Sequence, residues 1–264
     1  MNVVIGGTGI RISTTDAAFE QILRAQYAGF LDTGPSPSIE LTVDLASPRP
    51  ADPDADIEVR RQGDRWLIDR GDFHASYNSV TQSATVAQSA CRHGLDSVIR
   101  IIHSLQLAER SGFLLHAASV IRADRAFLFA GPSGAGKTTI SRLAPADAHL
   151  LTDEISYVRK DSGASAGQDW TAFGTPFAGD LARPGENRHA RVEALFLLRH
   201  GAGNRIEPVK AASAVHSILR NVLFFAKDPV LVRRLFDSVC EFVDSVPVFE
   251  LSFQPDARVW SLIT

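Results

Sequence analysis

Cysteine is nearly absent from this chain. The two that occur, Cys91 and Cys240, lie far apart, with no CxxC spacing and no histidine cluster beside either. That excludes a zinc site of the usual spacing and a disulfide framework, and leaves packing as their expected role. An excess of one charge is missing too: 27 Lys plus Arg stand against 30 Asp plus Glu, a formal charge of −3. Such a balance gives no field for gathering nucleic acid or anionic lipid, so neither is expected as a partner. No window approaches the roughly 20 apolar residues that a bilayer-spanning helix needs. The opening residues, MNVVIGGTGIRIS, carry no basic stretch ahead of a short apolar run, so no secretory signal is read there and a cytoplasmic location is expected.

What is present is the make-up of a globular protein, 45% hydrophobic and 22% charged over 264 residues, enough chain for one large domain or a small one joined to a larger. Residues 1–90 read as a smaller α+β region, with alternating stretches IELTVDL at 39–45 and RWLIDR at 65–70 that suit half-buried strands. The segment Ser47–Asp56, SPRPADPDAD, is loop chemistry. Leu95, Val98, Ile101, Ile102, Leu105 and Leu107 recur at helical spacing and predict a helix over about 89–110, leading into a second domain at 91–264.

From Leu114 onward, short apolar runs alternate with helical stretches, which predicts an α/β fold, a sheet flanked by helices. LLHAASVI at 114–121, AFLFA at 126–130, HLLT at 149–152, VEALFLLR at 192–199 and VPVFELSF at 246–253 are the expected strands. Helices are expected from Thr138, over Ala211–Phe225 and over Pro229–Val243. A turn at Arg122–Arg125 joins the first two strands.

Gly131-Pro-Ser-Gly-Ala-Gly-Lys137-Thr138 fits G-x-x-x-x-G-K-[ST] in full, between an expected strand and an expected helix, the context this phosphate-binding motif requires. Its glycines let backbone N–H groups turn inward toward phosphate oxygens, and the helix adds its positive end. The expected ligands are ATP and Mg2+, cradled by Gly131, Ser133, Gly134, Ala135, Gly136, Lys137, Thr138 and Thr139. Lys137 would reach the β- and γ-phosphates and the Thr138 hydroxyl the metal. No Asp has a Gly three residues on, against a GTPase, and VEALFLLR ends in Arg199 rather than an acid, against a transporter-type ATPase. Asp153-Glu154, closing HLLTDE, are the acids expected on a neighbouring strand.

LLHAASV at 114–120, FAGPSGAGKTT at 129–139, HLLTDE at 149–154, and GTPFAGDLARPGENR at 174–188 with ALFLLRHGAGNRIEPV at 194–209 resemble the HPr kinase/phosphorylase family and its relatives, including kinases of lasso-peptide precursors. The resemblance implies a P-loop HPr kinase/PEP carboxykinase-like sheet and an ATP-dependent phosphotransferase acting on a serine-like hydroxyl. The acceptor would be a peptide, small protein or small molecule. It implies Asp153 as the catalytic base, Glu154 as a magnesium ligand and His116 beside the reacting phosphates. Arg183, Arg188 and Arg205 are candidates for transition-state charge, and a homo-oligomer is among the expectations. Two other readings are a non-catalytic ATP-sensing module and a carboxykinase-like phosphoryl transferase.

Overall fold

The computed structural model describes residues 1–32, 37–46, 56–161 and 169–263; the expected loop at Ser47–Asp56 lies almost wholly outside the described residues. The chain divides into two compact units, Met1–Gln106 with Phe224–Val232, and Leu107–Leu223 with Arg233–Thr264. Among the described residues no helix is long and apolar enough to cross a membrane.

The first unit holds a seven-stranded sheet. Its strands are β1 (Asn2–Ile5), β2 (Thr8–Thr14), β3 (Ile39–Leu45), β4 (Glu58–Gln62), β5 (Arg65–Asp69), β6 (Phe73–Asn78) and β7 (Ser83–Gln88). They run in the order β1-β2-β3-β7-β6-β5-β4. Helix α1 (Ala17–Gln26) carries the crossover between the parallel strands β2 and β3, and Asp16 caps it by accepting from the Phe19 N–H at 2.8 Å. The end of α1 is tied to Asp96, which accepts from the Tyr27 hydroxyl at 2.6 Å and from the Gln26 amide at 2.7 Å. Asp96 belongs to α2 (Arg92–Glu109). Burial pushes the Asp96 carboxyl up, and these two hydrogen bonds oppose it.

The second unit holds β8 (Gly112–Arg122), β9 (Arg125–Ala130), α3 (Lys137–Arg142), β10 (His149–Thr152), β11 (Ile155–Lys160), β12 (Trp170–Phe173) and β13 (His189–His200). It continues through β14 (Arg205–Pro208), α4 (Ala211–Leu219), β15 (Val222–Leu223) and β16 (Val248–Phe253). Helix α5 (Pro229–Ser245) spans the division between the units. Strand pairing closes on itself: β8 joins β9, β9 joins β13, β13 joins β12, β12 joins β11, and β11 returns to β8. The result is a five-stranded barrel in which only β9/β13 is parallel. β10 and β15 extend from β8 and β16 from β13, with β14 on β16.

This corrects the expected α/β class. The protein is mostly β, not a P-loop kinase sheet layered between helices. The predicted strands at 114–121, 126–130, 149–152, 192–199 and 246–253 all form, but β11 and β12 stand between β10 and β13, and the strands close a largely antiparallel barrel rather than a sheet flanked by helices. Ala123 and Asp124 sit at φ 48 and 59, the left-handed pair of a two-residue hairpin, so β8 and β9 run antiparallel. The expected helix at Ala211–Phe225 stops at Leu219, because residues 222–223 pair with Leu115 and Leu114 of β8 instead.

One face of the sheet carries an aromatic cluster shared with α3, β16 and the closing turn Ala257–Ser261. Phe129 stacks on Phe196 with centroids 5.5 Å apart and meets Trp260 edge-on at 5.5 Å. Trp260 also donates its indole N–H to the Ile140 carbonyl at 3.1 Å, which fixes the short helix α3 to the closing turn Ala257–Ser261.

Candidate functional site

Register places the sequence motif and the acidic pair at one end of the barrel. Ala117 of β8 pairs with Ala130, the last residue of β9, and His116 pairs with Ile155, the first of β11. The loop after Ala130 and the acids before Ile155 therefore leave the sheet on either side of β8, with His116 between them, so the acids are not on a strand next to β9 as expected.

The 131–138 segment is a loop between β9 and α3, as the motif requires. Gly136 has φ 103, and a Cβ there would stand 2.8 Å from the Phe253 ring, so both backbone and space demand glycine. His200 Nε2 donates to the Gly134 carbonyl at 2.7 Å, holding one side of the loop. Within the loop Ala135 N–H bonds the Pro132 carbonyl at 3.1 Å. Among the described residues the N–H groups of Gly134, Gly136, Lys137 and Thr138 have no acceptor, which suits an anion cradle. Helix α3 has six residues, so the loop N–H groups and Lys137, rather than a long helix dipole, would carry anion binding.

Lys137 is 8% exposed and donates to the Gly131 carbonyl at 2.9 Å and the Pro132 carbonyl at 3.3 Å. Burial lowers its pKa, while the charges of Glu154 and Asp180 raise it. His116 is held below its ordinary value by burial first and by Lys137 second, with Glu154 opposing. Its Nε2 lies 3.8 Å from Glu154 Oε2. Thr138, Lys137, His116, Glu154 and Asp180 thus share one electrostatic site.

The two acids behave differently. Asp153 is 2% exposed; its Oδ1 accepts from Gly179 N–H at 2.9 Å and its Oδ2 from Leu181 N–H at 2.8 Å. That carboxylate anchors the 179–181 turn. Glu154 is about one-third exposed, and its Oε2 would lie 2.8 Å from a Cβ at Gly179, so it too borders this turn. The turn delivers Asp180, whose Oδ2 accepts from the Thr138 hydroxyl at 3.4 Å. Sequence reasoning missed Asp180, His200 and Phe253: each lies in a stretch it singled out, but nothing in those stretches marks the residue that reaches the loop.

The 174–188 segment that contains this turn is laced to β10. Thr175 N–H bonds Leu151 O at 3.0 Å and Glu186 N–H bonds Leu150 O at 2.8 Å. A Cβ on Gly185 would fall 1.7 Å from the Leu151 carbonyl oxygen, so glycine is required there by close backbone approach. Of the three arginines, Arg183 is exposed three residues beyond Asp180. Arg205 pairs with Glu207 across 2.5 Å. Arg188 is not at this end: it lines a cavity of about 600 Å³ with Ala123 and Asp124 of the β8–β9 turn, at the other end of the strands. Among the described residues no group of three or more His, Cys, Asp and Glu side chains is poised to hold a metal. Cys91 and Cys240 are free and half-buried.

The model of the family described as SynChlorMet cassette protein ScmC matches residues 91–264, about two thirds of the chain. The chain belongs to the ScmC family. No kinase family matches, and no curated protein does. Membership in ScmC overturns the resemblance to HPr kinase/phosphorylase. The quoted stretches are short, and each encodes local geometry: a buried strand, a glycine loop opening a helix, an acid closing a strand. Such pieces recur wherever a loop must face a carboxylate, on unrelated sheets. The ScmC match takes in the whole barrel, the glycine loop, the acidic pair and the 174–188 segment. Roles for Asp153, Glu154 and His116 therefore rest on geometry alone.

Proposed function

We propose that this ScmC-family chain is an ATP-dependent phosphotransferase that moves the terminal phosphate to a hydroxyl acceptor. The observation that carries the reading is the gathering of Lys137, Thr138, His116, Glu154 and Asp180 around a loop that has four N–H groups without an acceptor among the described residues.

Lys137 exchanges its bonds to Gly131 and Pro132 for the β- and γ-phosphate oxygens. The loop N–H groups hold the remaining phosphate charge. Mg2+, when bound, would neutralise phosphate charge, and Thr138 and Asp180 are the side chains that would hold it. Glu154, the accessible acid, takes the proton of the acceptor hydroxyl as that oxygen bonds to the γ-phosphorus. The bond from phosphorus to the bridging oxygen breaks, and the charge left on the diphosphate stays on Lys137. His116, uncharged at neutral pH, steadies Glu154 without competing for phosphate. Asp153 keeps the 179–181 turn in place, a different part from the base expected of it in the sequence.

The family description calls its members cassette proteins, so the acceptor is sought among small hydroxyl compounds as well as products encoded in the same cassette. Incubating the protein with γ-labelled ATP and those candidates tests the reading. Label on one candidate, lost in Glu154→Gln while nucleotide binding persists, is the expected result. A second reading, an ATP-binding regulatory module, is favoured by the Asp153 carboxylate being fully engaged by backbone N–H groups. Nucleotide binding with no label transfer to any cassette product or small hydroxyl compound would select it.

A further inference from the structure

A cavity of about 460 Å³ opens beside the glycine loop, against Gly131, Pro132 and the end of β13. Its far wall is one face of α4. Ser213, His216, Ser217 and Arg220 recur at the i, i+3, i+4, i+7 spacing of a single helical face and line the cavity, while Ala214 and Ile218 are buried on the opposite side. The helix is thus anchored by its apolar face and presents a polar one.

Charge on that wall is not balanced. Arg199 is neutralised by Glu250 at 2.5 Å. Arg220 is exposed, and among the described residues no carboxylate lies within 4.0 Å of it.

Position gives the cavity its meaning. The Lys137 ammonium reaches toward Gly131 and Pro132, and the lysine of such a loop addresses the β- and γ-phosphates, so this edge is the terminal-phosphate side. The wall is also tied to His116, whose N–H bonds the carbonyl of Asn221 at 2.7 Å. A molecule in the cavity would therefore lie against the part of the loop that Lys137 bonds, where the outermost phosphate is expected. The volume falls within the range of small-molecule sites.

A guanidinium fork matches carboxylate geometry, and the phosphates are already claimed by the loop. We propose that this cavity is the acceptor subsite and that it takes a small hydroxy acid, with the acceptor's carboxylate held by Arg220. This deepens the phosphotransferase reading and rests on it.

Calorimetry on the full chain with a non-hydrolysable ATP analogue and Mg2+ provides the test, using L-serine, L-threonine, D-glycerate and L-malate as probes. L-serinamide and glycerol are the controls without a carboxylate. At least one hydroxy acid is expected to bind and neither control to do so. Arg220→Glu is expected to weaken that binding by at least roughly tenfold, as for loss of a charge-assisted pair, and Arg220→Lys to weaken it less. Affinity for the nucleotide analogue stays unchanged in both variants. No binding by any hydroxy acid, or equal binding in Arg220→Glu, overturns the subsite. A fall in nucleotide affinity instead makes Arg220 a phosphate ligand and also overturns it. Should wild-type protein bind no nucleotide at all, it is the phosphotransferase reading that fails, and the titration without nucleotide still reports on the cavity.

Discussion

The Thr138 hydroxyl donates to the Asp180 carboxylate across 3.4 Å, joining the glycine loop to a turn 42 residues further along the chain. Through this contact the 174–188 segment becomes part of the site. Asp180→Ala is expected to weaken Mg·ATP binding about three- to tenfold, the range for one hydrogen bond to a charged group. ATP without metal should bind the variant nearly as well as it binds wild type. Calorimetry with and without Mg2+ checks both halves.

Asp153 is an anchor, and its loss should register as stability. Asp153→Ala leaves the N–H groups of Gly179 and Leu181 without their acceptor, at a cost of about 2–4 kcal/mol. Asp153→Asn keeps one acceptor oxygen and should lose about half as much. Urea denaturation midpoints for the two variants, with unchanged slopes, are the measurement. Equal stability of all three proteins would leave the turn held by something else.

Trp260 couples the closing turn to α3 and to Phe129 of β9. It is 3% exposed, and Trp260→Ala is expected to cost about 3–5 kcal/mol from the cavity alone. Since its indole N–H also holds the Ile140 carbonyl, α3 should loosen and nucleotide affinity fall with it. Trp260→Phe, which keeps bulk and loses the N–H, should recover most of the stability and less of the affinity.

His103 supplies an acid-sensitive element away from the site. Burial lowers its pKa to about 4, against about 6.5 in an unfolded chain. The folded state therefore binds fewer protons in that window, and stability rises with pH there. The contribution is intact above about pH 6.5 and is lost progressively as pH falls to about 4, a total of about 3 kcal/mol. His103→Leu should flatten this part of the stability–pH curve, read from denaturation midpoints between pH 4 and 7.

Much of the second unit was legible in the sequence because its strands are emphatic apolar runs. β8 and β9 are buried along nearly their whole length, and a strand covered on both faces reads as a continuous hydrophobic stretch whether its neighbours are parallel or antiparallel. Hence the strands were placed correctly and the fold class was not. The hairpin turn at Arg122–Arg125 is legible where it stands, but the pairings that close the barrel, β9 with β13 and β11 with β8, join segments far apart in the chain. The glycine loop was legible for the opposite reason: its chemistry fixes spacing as well as composition. Asp180, His200 and Phe253 reach the loop through tertiary packing, which no local pattern encodes. The same limit explains Asp153 and Glu154, adjacent in sequence and both against the 179–181 turn, of which only Asp153 accepts from the turn's N–H groups.

The central claim is that the loop at 131–138 grips a triphosphate through Lys137. Titrating Mg·ATP into wild-type protein and into Lys137→Met, which keeps the aliphatic stem and removes the charge, tests it most directly. Saturable one-to-one binding by wild type and a loss of at least roughly tenfold in the variant is the predicted outcome. Equal affinity in the two proteins, or no binding by either, would contradict it.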